Sequence, residues 1–110
     1  MTPIDYYRLV REFALAHAPA RPNILPEGSP CAWNPALRFG WSERGWGINV
    51  RLDFDLRSGT AEINSSTTTR GVRDALAFAT LYRQVTEFAA VLEAFSGDRG
   101  EVDWEGECHA

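Results

Sequence analysis

A chain of 110 residues, 45% hydrophobic and 24% charged, has the size and composition of one globular domain. It is not a disordered chain, and it can form a core without disulfide or metal. The formal net charge of −4 is unevenly placed: residues 98–110 hold five acids and one arginine, while residues 1–97 hold ten of each. That neutral body lacks the basic footprint of non-specific nucleic-acid binding, so no direct contact with nucleic acid is expected.

In chain order, residues 3–17 read as a helix. Thr2 is placed to cap it, Pro3 suits the first helical position, and Asp5 sits in the first turn, where the helix dipole favours an anion. Tyr6, Val10, Phe13 and His17 recur at helical spacing, Leu9 and Ala14 widen the stripe, and Tyr7 falls off it. Pro19 ends the helix. The connection 18–36 carries Pro19, Pro22, Pro26, Pro30 and Pro35, which excludes helix and central strand. A connection this long is often functional; the stronger reading is a stiff crossover, pinned by Ile24, Leu25 and Trp33.

Three strands follow. Leu37, Phe39 and Trp41 alternate with Arg38, Gly40 and Ser42, and "SERG" is a turn. In residues 46–56, Trp46, Ile48, Val50, Leu52, Phe54 and Leu56 form an apolar face, opposite Gly47, Asn49, Arg51, Asp53 and Asp55. "RSGT" is a hairpin turn in which Gly59 supplies positive φ. Residues 60–67 return with Ala61, Ile63 and Ser65 inward. A last helix spans about 70–95, capped by Thr68 or Thr69 and ended by Gly97. Its Phe78, Leu81, Val85, Phe88, Leu92 and Phe95 make an a/d-type seam. The expected fold class is α+β: an N-terminal helix, a Pro-rich loop, a three-stranded antiparallel meander and a long C-terminal helix. One domain over 1–97 carries an acidic tail over 98–110. Ala77, Ala79, Ala89, Ala90, Val91 and Ala94 make the last helix apolar beyond one stripe, so a second side is covered by the first helix or by another protomer. A homodimer through this helix is the expectation.

No stretch approaches a membrane span, and Asp5, Arg8, Arg11 and Glu12 stand where a signal peptide would be apolar. A cytoplasmic protein with Cys31 and Cys108 reduced is expected. Cys31, Cys108, His17 and His109 lack the paired spacing of a zinc site, so no metal is assigned. No nucleophile elbow, phosphate-binding loop or dinucleotide fingerprint occurs, and neither catalytic residues nor a cofactor are assigned. Asp53, Asp55 and Glu62 can share the polar sheet face and could hold Mg²⁺. With Arg38, Arg51 and Arg57 nearby, a cross-strand ion-pair ladder is the stronger reading.

The tail "GDRGEVDWEGECHA" sets Asp98, Glu101, Asp103, Glu105 and Glu107 around Trp104. Such a tryptophan can anchor a partner while the carboxylates steer it, or it can fold back onto an arginine of the domain. Both readings stand.

"RGWGINVRLDFDL" and "INSSTTTRGVRDALAFATLYRQVTEFAAVLEAF", in the region from about 38 to 95, resemble uncharacterised short phage and prophage proteins of GC-rich bacteria. The small, acidic, motif-free whole also resembles anti-CRISPR proteins, a class without a common sequence. No functional residue carries over. The resemblance implies a non-enzymatic inhibitor of a bacterial defence or nucleic-acid-handling complex, protein or ribonucleoprotein, in the host cytoplasm. Asp98, Glu101, Asp103, Trp104, Glu105, Glu107, Asp53, Asp55 and Glu62 are its candidate contact residues. The rivals are a metal-dependent hydrolase using the sheet carboxylates and a phage assembly protein oligomerising through the helix seam.

Overall fold

The computed structural model describes residues 1–24, 36–97 and 101–104. The elements in order are α1 (Pro3–His17), β1 (Asn23–Ile24), β2 (Ala36–Glu43), β3 (Trp46–Asp55), β4 (Thr60–Thr68) and α2 (Gly71–Gly97). The fold is α+β, with both helices packed on one face of an antiparallel sheet in the order β1-β2-β3-β4. The three expected strands are all present. The sheet gains β1, whose Asn23 and Ile24 pair with Arg38 and Leu37. So short an edge strand fits beside Pro22, because a proline is tolerated at an edge. Leu25 and Trp33 lie outside the described residues.

Local chemistry sets the element ends. The Thr2 hydroxyl accepts from the Asp5 amide at 3.2 Å and caps α1. The β2–β3 hairpin turns through Arg44 and Gly45, both at positive φ, as a two-residue primed turn requires. In the β3–β4 hairpin, Asp55 Oδ1 accepts from the amides of Arg57 and Ser58, and Gly59 takes φ 71. At the start of α2, Thr68 belongs to β4, and the expected threonine cap gives way to Asp74. Its carboxylate accepts from the Arg70 amide at 2.9 Å.

The core gathers Tyr6, Val10 and Ala14 of α1, alternate residues of β2 and β3, and Val85, Phe88 and Leu92 of α2. Phe78, Leu81 and Phe95 complete the seam at its margins. Tyr7 is 3% exposed and Leu9 41% exposed, which reverses the sequence expectation. The inward stripe is Pro3, Tyr7, Val10 and Ala14 beside Tyr6, so it widens on the Tyr7 side and Leu9 falls off it. Ser65 lies opposite Val50 yet is exposed, at the open margin of the sheet. α1 covers α2 at its C-terminal end, where Phe13 stacks on Phe95 at 4.0 Å and Tyr6 Oη lies 2.6 Å from Ser96 Oγ. Toward its N-terminus α2 is bare: Val72 is 74% exposed and Leu76 63%. Within one protomer, then, the helix is not covered all round.

Candidate binding site

Residues 101–104, within the acidic segment, are built into one end of the domain. The Met1 ammonium donates to the Glu101 carbonyl at 3.2 Å, and the Asp103 amide donates back to the Met1 carbonyl at 3.1 Å. Val102 and Trp104 pack against the core. The Trp104 ring meets Tyr6 edge to face, with centroids 6.0 Å apart. Arg57 lies 5.6 Å over the same ring and donates to the Trp104 carbonyl at 3.2 Å. Of the two readings of Trp104, this geometry is the folded-back one, with Arg57 as the arginine. The ring is occupied by the fold, while Glu101 and Asp103 stay exposed beside it. Met1, Arg57 and residues 101–104 line an open depression of about 680 Å³. Asp98, Glu105 and Glu107 lie outside the described residues.

The sheet carboxylates have separate roles. Asp53 sits directly opposite Glu62, but Asp55 sits opposite Thr60 and caps the hairpin turn. Arg51 Nε donates to both oxygens of Asp53, at 2.9 and 3.0 Å. This ion pair runs along one strand, between residues two apart on the same face, and not across strands as the ladder reading expects. The like charges Arg38 and Arg51 stand opposite each other, and Asp53 offsets that juxtaposition. Among the described residues no three His, Cys, Asp or Glu side chains converge as metal ligands. Of the four metal-ligand candidates read from the sequence, His17 is described, and its ring packs against Phe13 at 4.4 Å.

Sequence reasoning passed over a second concavity of about 470 Å³ at the other end of the sheet. Gly40 and Gly47 line it together with Arg38, Ser42, Asn49 and Ser66. Neither glycine tolerates a side chain: a Cβ on Gly40 would stand 2.0 Å from the Ile48 carbonyl oxygen, and one on Gly47 2.4 Å from that of Trp41. Two glycines on the polar face of paired strands were the signal for it. Asn49 Nδ2 reaches Ser66 Oγ at 3.4 Å. Next to it, Arg70 lies 5.6 Å over Trp46.

Comparison with known proteins yields no match: no family model, no curated protein and no solved structure is significantly similar to this chain.

Proposed function

We propose that this protein acts by binding, as a non-enzymatic inhibitor whose acidic C-terminal segment occupies a basic site on a bacterial nucleic-acid-handling complex. The observation that carries the reading is the seating of residues 101–104 on Met1, Tyr6 and Arg57. Carboxylates held at a fixed place lose less conformational freedom on binding than the same groups on a loose tail. They can stand in for phosphate oxygens before a cluster of arginines and lysines. The neutral body leaves residues 98–110 as the source of the whole net charge. The pattern-level likeness to short phage proteins makes a host defence or nucleic-acid-handling assembly the first partner class to test.

The test is capture from a bacterial lysate on immobilised full-length protein, with the bound proteins identified by mass spectrometry. A variant carrying Glu101→Gln, Asp103→Asn, Glu105→Gln and Glu107→Gln keeps the Trp104 contacts and loses the charge. The proposal expects a nucleic-acid-binding complex on the native protein, at least ~10-fold less on the variant, and weakening between 0.05 and 0.3 M salt as exposed charge is screened. Equal capture by both proteins would place the contact on the folded body and end the proposal.

A further inference from the structure

The edge of β4 and one flank of α2 form a continuous surface that is self-complementary, and we infer that it pairs with a second copy of this chain. β4 is the last strand of the sheet, nine residues long, with no proline or lysine and with Glu62 as its one charge. From Ile63 to Thr68 such an edge carries neither charge nor proline to guard against strand addition. The Ala61 amide does not bond to β3; it donates to the Glu93 carboxylate at 3.2 Å. Because antiparallel residues alternate between facing the partner strand and facing away, Ile63, Ser65 and Thr67 also point their N–H and C=O groups outward. Among the described residues these groups have no partner.

A two-fold axis through Ser65 satisfies all of them. Ile63 of each copy then faces Thr67 of the other, Ser65 faces itself, and about six backbone hydrogen bonds form. In this register Glu62 faces Thr68, so no charge meets its like. The axis stands perpendicular to the sheet, so the helices of both copies lie on the same side.

The helices meet at the right distance. α2 packs on both β3 and β4. Where α2 lies midway between β3 and β4, strands about 4.8 Å apart bring the two α2 axes to about 10 Å, at the limit of ordinary helix contact. Glu93 reaches the β4 edge, so its flank of α2 faces outward. At 100° per residue that flank carries Val72, Ala75, Ala79, Tyr82 and Thr86, at spacings of three and four. All five are exposed in the single protomer, and the small ones permit close approach. The surface therefore joins strand pairing to a second helical seam, distinct from the seam that meets the core. The strand pairing centres on Ser65, whereas the acidic residues 101–104 are seated on Met1, Tyr6 and Arg57.

The experiment is sedimentation velocity on the full chain from about 1 to 500 µM, with two variants. Ser65→Pro removes the outward donor at the axis and leaves the β3–β4 ladder intact. Ala79→Arg places a charge on the exposed helical flank without touching the core, and far-UV circular dichroism confirms that each variant is folded. The expected result is a species of twice 12.3 kDa for the native chain, with self-association weakened at least ~30-fold in both variants. A native chain that stays monomeric throughout overturns the inference. So does a dimer that survives either folded variant, since it must use another surface. If Ser65→Pro fails to fold, Ala79→Arg decides alone.

Discussion

Three glycines separate backbone need from packing need. Gly40 combines φ +117 with an imagined Cβ 2.0 Å from a backbone oxygen, so Gly40→Ala must move β3 itself. A loss of at least about 3 kcal/mol in urea unfolding is expected, among the large single-site effects. Gly45 also has positive φ, but nothing lies within 4 Å of its Cβ position, so Gly45→Ala should cost about 1 kcal/mol from conformation alone. Gly97 has open space and no such φ, and its alanine variant should be neutral to within about 0.5 kcal/mol. If Gly45→Ala equals Gly40→Ala in cost, the close approach at Gly40 is not the cause. The buried Tyr6–Ser96 hydrogen bond of 2.6 Å joins α1 to the end of α2. Tyr6→Phe should lose about 1 kcal/mol, and the double variant with Ser96→Ala should lose less than the two singles together. Strict additivity would mean that the two hydroxyls do not interact.

Along α2, burial changes from one end to the other. Leu92 is fully buried and Leu76 is mostly exposed, though both are leucines of one helix. Leu92→Ala should cost about 3 kcal/mol in chemical denaturation of dilute protein, and Leu76→Ala under about 0.5. Comparable losses would mean that the N-terminal half of the helix is packed in the monomer. The core seam of α2 was legible because six large apolar residues hold the three-four spacing. The strands were legible because apolar and polar residues alternate without a break from Trp46 to Asp55. The inward face of α1 was not, since two adjacent tyrosines and Leu9 allow the stripe to widen either way. β1 left no signal, because two residues cannot display a period. The cap of α2 was misplaced because two threonines invite that reading, while the acceptor is a carboxylate four residues beyond Arg70.

Taken whole, the molecule is longer than its residue count requires. Its radius of gyration is 15.4 Å, against about 13 Å for a compact chain of this length. The excess fits a helix that outruns the cover α1 provides, and it leaves the flank assigned to a second copy in view. The acidic end is where charge and fold meet. Its acidity could be read from composition, but its seating could not, because the contacts join residues about 50 to 100 apart and follow no local pattern. Trp104→Ala should therefore loosen the segment and cost about 1–2 kcal/mol, from the ring's contacts with Tyr6 and Arg57. Urea unfolding checks this, and an unchanged midpoint would mean that the ring adds nothing to the fold. The most direct measurement is amide hydrogen exchange at Asp103, whose N–H donates to the Met1 carbonyl. Exchange at least ~10-fold slower than in an open peptide is the predicted result, lost in Trp104→Ala. Exchange at the open-chain rate in the native protein would mean that the carboxylates have no fixed place and would remove the basis of the binding proposal.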